Sequence, residues 1–114
     1  MKRLIARFFK TEGGREPVRD FLLGLPGEDR KIVGQDIATV EFGWPVGMPV
    51  CRPLGGGLHE IRSTIRDGKV EVRVYVCVEA QVLVLLHGQQ GKGRQDADIA
   101  LARGRQAELR RRSS

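Results

Sequence analysis

Leu58-His59-Glu60-Ile61-Arg62-Ser63-Thr64-Ile65-Arg66-Asp67-Gly68-Lys69-Val70-Glu71-Val72-Arg73-Val74-Tyr75-Val76-Cys77-Val78 reads as a β-hairpin with its turn at Asp67-Gly68. That dipeptide is a strong two-residue turn signal, because the favoured hairpin turns need φ above zero at their centre. Valine recurs at 70, 72, 74, 76 and 78, the alternation of a strand with one apolar face. Pairing outward from the turn puts Ile65 opposite Val70 and Ile61 opposite Val74 on that apolar face. The same register puts Arg62 opposite Arg73 and Glu60 opposite Tyr75 on the other face. Apolar residues meet apolar residues, and a slip of one residue would turn a whole strand over.

Two arginines directly across a ladder repel each other, and an anion held between them removes the repulsion. The guanidinium fork matches phosphate oxygens. Tyr75 lies two residues along on the same face, where a phenol can stack on a base or exchange a proton. The alternative reading is a salt network in which Glu60 bridges both arginines.

Outward from the hairpin, residues 82–86 form a continuous apolar run, a strand covered on both sides. Residues 4–9 read as a first strand. Pro17 suits a helix start, and Val18, Phe21, Leu22 and Leu25 make one apolar stripe. A second helix over 28–42 has Glu28 and Asp29 near its positive end and Val33, Ile37 and Val40 on its buried stripe. Residues 43–57 read as a Gly- and Pro-rich loop. Gly55 to Gly57 lack the spacing of a phosphate-cradling loop. A last helix over 97–111, capped by Asp96, has a thin stripe of Ile99, Ala102 and Leu109. The order is strand, two-helix hairpin, three-stranded antiparallel meander, helix. The class is α+β, with the first two helices covering one face of the sheet.

The chain has 114 residues and fits one domain, 1–114, with residues 110–114 expected to fray. Its formal net charge of +6 and pI near 10.0 favour polyanionic partners. No apolar stretch is long enough for a membrane span, and Arg7 interrupts the apolar run of a would-be signal peptide. Cys51 and Cys77 have neither metal spacing nor a disulfide framework, so they read as small buried hydrophobes in a reducing cytoplasm. Lys92 and Arg94 follow the apolar strand in a loop that can fold over the sheet face. His59 shares the face of Ile61, and alternation sends His87 to the core side, away from Tyr75. No cluster has metal-ligand spacing, and no cofactor is implied.

Several segments together resemble the RelE-type toxins of bacterial toxin–antitoxin modules, in the phage-derived host-killing branch related to HigB-like toxins. They are Gly43-Trp44-Pro45-Val46-Gly47-Met48-Pro49, Arg52-Pro53-Leu54-Gly55-Gly56-Gly57-Leu58-His59-Glu60-Ile61-Arg62, Arg73-Val74-Tyr75, Val84-Leu85-Leu86-His87-Gly88 and Asp98-Ile99-Ala100-Leu101-Ala102-Arg103. The resemblance implies a compact sheet with helices on one side and metal-independent cleavage of mRNA on the ribosome by 2′-hydroxyl attack. It implies Arg62 and Arg73 as the phosphate-binding pair, with Lys92 as the loop lysine. Tyr75 would stack or transfer a proton, and Arg94, Arg103 and Arg105 would grip RNA. The expected partners are ribosome, mRNA and a cognate antitoxin with a helix-turn-helix domain. The loop over 89–95 departs from relatives in being shorter and glycine-rich, without their aromatic residue. That departure favours a rival reading, a non-catalytic nucleic-acid- or protein-binding module of the same fold.

Overall fold

Five strands and three helices build the chain in a computed structural model that describes residues 1–91 and 95–113. They are β1 (Ile5–Phe8), α1 (Pro17–Leu23), α2 (Gly27–Gly43), β2 (Cys51–Gly55), β3 (Leu58–Ile65), β4 (Val70–Glu79), β5 (Val82–Gln90) and α3 (Gln95–Ser113). The strands form one mixed sheet in the order β1-β5-β4-β3-β2. β2 through β5 pair antiparallel, and β1 joins the far edge parallel to β5. The class is α+β, but the antiparallel run has four strands where the sequence predicts three. Among the described residues, no helix is long and apolar enough to cross a membrane.

The extra strand, β2, falls inside the segment read as a loop. Pro53 hid it, because proline lacks a donor for the ladder and is tolerated only at edges and bulges. β2 is an edge strand, and its pairing with β3 shifts between Pro53 and Gly55. Gly55, Gly56 and Gly57 follow with φ of +90°, +63° and +83°, three consecutive left-handed residues that turn the chain into β3.

One face of the sheet is covered as expected. Val18 and Leu25 around α1, and Val33, Ile37 and Val40 from α2, pack on Ile61, Val72, Val74, Val76, Leu83 and Leu85. Full burial of each such side chain stabilises by roughly 1.5–3 kcal/mol relative to exposure. Two acidic residues fasten α2. Asp29 near its start holds Arg66 of the β3–β4 turn at 3.2 Å. Near its end Glu41 caps the outer edge of β1, its Oε2 accepting the Ala6 N–H at 2.8 Å and its carbonyl accepting the Arg3 and Leu4 N–H groups. A capped edge cannot recruit another strand there.

The other face is covered too, as the apolar run over 82–86 implies and against the one-sided cover that the resemblance implies. α3 lies over Phe9, Leu58, Tyr75, Cys77, Val84 and Leu86. Its apolar stripe is thin, as expected: Ala102 is buried, with Ile99 and Leu109 partly so. Its docking is completed by side chains donating to backbone carbonyls. Arg103 donates to Leu54 and Gly55, Gln106 and Arg110 both to Gly56, Arg105 to Leu86, and Arg112 to Lys10. Charged hydrogen bonds of this kind contribute roughly 1.5–3 kcal/mol each, less where exposed. The helix therefore continues to Ser113, through the residues expected to fray.

Gly88 on β5 opposes Val74 and lies under α1. A Cβ there would stand 2.5 Å from Phe21 Cδ2 and 3.0 Å from Cγ, inside the ring's contact distance. Gly88→Ala should destabilise the fold by about 1–3 kcal/mol through overpacking. Denaturant midpoints check this, and Phe21→Leu should recover part of the loss in the double mutant.

Candidate functional site

β3 and β4 carry the centre of the site, and their register is the one predicted. Ile65 pairs Val70, Ile61 pairs Val74, Arg62 pairs Arg73 and Glu60 pairs Tyr75. The two arginines are neighbours on the α3 side of the sheet, toward the hairpin end, where their guanidiniums remain partly accessible at 35% and 15% side-chain exposure.

Two carboxylates hold them, one on each side. Glu60 is fully buried behind the pair. Its Oε1 lies 3.8 Å from Arg62 Nε and 3.6 Å from Arg73 Nε, and its Oε2 accepts a hydrogen bond from Gln95 Nε2 at 3.2 Å. Glu71 lies in front. One of its oxygens accepts from Arg62 Nη2 at 2.7 Å and the other from Arg73 Nη2 at 2.8 Å. The hydrogen bond from Arg62 holds its carboxyl below the usual glutamate range, against a smaller opposing effect of burial. Two positive and two negative groups thus offset the repulsion across the ladder. The bridging role that the alternative reading gave Glu60 belongs to Glu60 and Glu71 together.

There is room beside the pair. One depression of about 260 Å³ runs past Asp36, Pro49, Val50, Arg62, Thr64 and Glu71. A second, also about 260 Å³, runs past Gly68, Lys69, Val70, Glu71, Arg73 and Gly91. Among the described residues, Glu71 alone lines both.

Tyr75 is on the face the sequence gives it, opposite Glu60, but α3 covers that face there. Its ring has 0% exposure beneath α3, so no base can stack on it with that helix in place. Its hydroxyl has no hydrogen-bond partner among the described residues, and burial pushes the phenol up to about 12, where it stays protonated at neutral pH. His87 also departs from expectation. It faces Tyr75 across the ladder, stacks on its ring at 5.9 Å and donates from Nε2 to Asp98 Oδ1 of α3 at 2.7 Å. The cause is a bulge. Tyr75 pairs His87 while Val76 pairs Leu85, so Leu86 is an extra residue and the alternation restarts after it. His59 stays on the expected side, edge-on to Trp44 at 4.8 Å, and burial lowers its pKa.

Lys92 and Arg94 lie outside the described residues. The flanking residues are both tied to the arginine site: Gly91 O accepts from Arg73 Nη1 at 3.3 Å, and Gln95 reaches Glu60. Arg103 and Arg105 hold carbonyls of their own chain, and burial lowers the pKa of Arg105. Arg52 is a cation the candidate set omitted. It faces Glu60 from β2 on the same side of the sheet. The signal for it was available only once 51–55 is read as a strand. Among the described residues, no three His, Cys, Asp or Glu side chains gather as a metal site needs.

Cys51 and Cys77 are both buried, packed in the cores on opposite faces of the sheet. Burial pushes each thiol up to about 11, with the charges of Glu60 and Glu79 adding respectively. At pH 8 about one in a thousand of each would be thiolate. Reaction with a thiol reagent such as DTNB should therefore be slow in the native protein and fast in urea. As pH rises, the folded state keeps these protons where the unfolded chain loses them. This contribution is intact below about pH 9 and is lost as pH rises toward 11.

The family model described as phage-derived Gp49-like protein matches residues 20–107, which include the whole site. No curated protein matches the chain.

Proposed function

The chain belongs to the Gp49-like family of phage-derived proteins, a RelE/toxin-like family of toxin–antitoxin modules, and we propose from this premise that it is the toxin of a type II module that cuts mRNA on the ribosome. Membership of such a family implies a cognate antitoxin. The reading rests on one observation above the others: Arg62 and Arg73 aim their Nη donors at the two oxygens of a single carboxylate. Two non-bridging oxygens of a phosphodiester can take the same donors.

In this reading the 2′-oxygen attacks the adjacent phosphorus and the 5′-oxygen leaves. The products are a 2′,3′-cyclic phosphate and a 5′-hydroxyl. A proton moves from the 2′-oxygen and one reaches the leaving oxygen. Arg62 and Arg73 stabilise the charge that grows on the phosphoryl oxygens, and buried Glu60 balances both guanidiniums from behind at ion-pair distance, without a hydrogen bond to either. Lys92 adds charge or takes part in proton transfer from the adjoining loop. Tyr75, buried under α3, stays out of reach of a base while that helix is in place, and its ring packs on His87, which is tied to Asp98 of α3. Arg94, Arg103 and Arg105 add a sequence-independent hold on ribosomal RNA. The antitoxin carries a helix-turn-helix domain, and the protein works in the cytoplasm without a metal.

The second reading, a non-catalytic module that binds nucleic acid or protein, is favoured by the two carboxylates, Glu60 and Glu71, that already pair with Arg62 and Arg73. Induced expression of the chain alone, with growth and mRNA integrity followed together, tests the first. Growth arrest with fragmented mRNA, relieved by the co-expressed antitoxin, is the expected result. Normal growth and intact mRNA from soluble protein would contradict it.

A further inference from the structure

We propose that Glu71 is a displaceable internal anion, occupying in the free protein the position that a substrate phosphate takes between Arg62 and Arg73. The inference rests on reading that pair as the phosphate seat. The two carboxylates at the pair differ in kind. Glu60 is fully buried, meets the Nε side of both arginines and is held by Gln95. It cannot leave without exposing a cavity. Glu71 is 35% exposed at its side chain and meets the Nη side, with one oxygen on each arginine at 2.7 and 2.8 Å. Its oxygens are reached from solvent on the side away from Glu60, so of the two carboxylates Glu71 is the one that can turn outward without opening the core.

Displacement also has somewhere to go. Glu71 is the shared wall of the two depressions, one containing Arg62 and the other Arg73. With its side chain turned to solvent, the two join into one trough that crosses the arginine pair. A phosphate with a nucleotide on either side can then lie across the pair, one neighbour in each depression. The backbone at Glu71 is fixed while this happens, since Gly91 N–H donates to Glu71 O at 2.8 Å and the residue pairs with Thr64 in the ladder. Only the side chain has to move. The consequence is weak affinity for an isolated phosphate and a requirement that a ligand supply other contacts, from its neighbouring nucleotides or from the ribosome, before the carboxylate is expelled.

The test compares wild-type protein with Glu71→Gln, titrated with inorganic phosphate and with a short single-stranded RNA. The arginine Nε–H resonances of the NMR spectrum report binding. Glu71→Gln should bind both about five- to tenfold more tightly, and adding Arg73→Lys should cancel the gain. In the wild type, the Glu71 carboxyl carbon should shift as phosphate is added, which needs no variant to fold. Equal affinity of wild type and Glu71→Gln, or a Glu71 carboxyl that does not respond while the arginines do, would overturn the proposal. Ribosomal cleavage is scored separately. Tighter binding without cleavage keeps the displaceable anion and removes the nuclease reading. Cleavage with unchanged binding does the reverse.

Discussion

Arg73→Ala should abolish growth arrest and lower mRNA cleavage about 10²–10³-fold, the usual cost of deleting one donor aimed at developing charge. Arg73 has the most to lose of the arginines at the site. Its guanidinium meets Glu60 and Glu71 at once and its Nη1 holds the carbonyl of Gly91, where the loop bearing Lys92 begins. Removing it weakens the phosphate seat and takes from buried Glu60 the nearer of its two ion pairs among the described residues, leaving Arg62 at 3.8 Å. Some loss of stability is therefore expected as well, and loss of function in the alanine variant needs a folding control. Arg73→Lys supplies it. Lysine keeps the charge near Glu60 but cannot reproduce the fork. A folded Arg73→Lys protein without toxicity assigns the effect to geometry at the phosphate. A fully toxic one removes Arg73 from the site.

Phe9→Ala should be the most damaging single change to the fold, at about 3–5 kcal/mol. Phe9 directly follows β1, is 2% exposed and lies in the core under α3. Arg112 and Arg105 lie over its ring, 5.1 and 5.9 Å from the centroid. α3 has few apolar groups of its own, so truncation removes much of what its polar contacts are arranged around. For a domain of this size the loss is a large share of total stability, and the midpoint of thermal unfolding should fall by more than about 10 °C. Hydrogen exchange should localise the first effect to α3 and to β5 beneath it. A shift under about 3 °C would mean that the carbonyl contacts of Arg103, Gln106 and Arg110 hold the helix without the aromatic floor.

The hairpin is legible in the sequence because each local signal agrees with the next. Asp67-Gly68 sets the turn, alternate valines set the face, and the pairing of Ile61 with Val74 fixes the register. The arginine pair follows from that register alone. Three features escape such reasoning, each for a physical cause. β2 is an edge strand that tolerates Pro53, so its ladder leaves no composition signal. α3 docks through arginines on backbone carbonyls, and a helix that polar reads as solvated. His87 changes side because one inserted residue, Leu86, restarts the alternation. Glu71 is on the expected face, but its contact with both arginines is a matter of side-chain geometry, which spacing does not reveal.

Cleavage of an mRNA on purified ribosomes tests the central claim most directly. With wild-type protein, mapped fragments should end in a 2′,3′-cyclic phosphate on one side of the cut and a 5′-hydroxyl on the other. Folded Arg73→Lys protein should leave the message whole. Ribosomes that bind the wild-type protein and keep their mRNA intact would contradict the account, and would make the arginine pair a docking surface instead of a catalytic one.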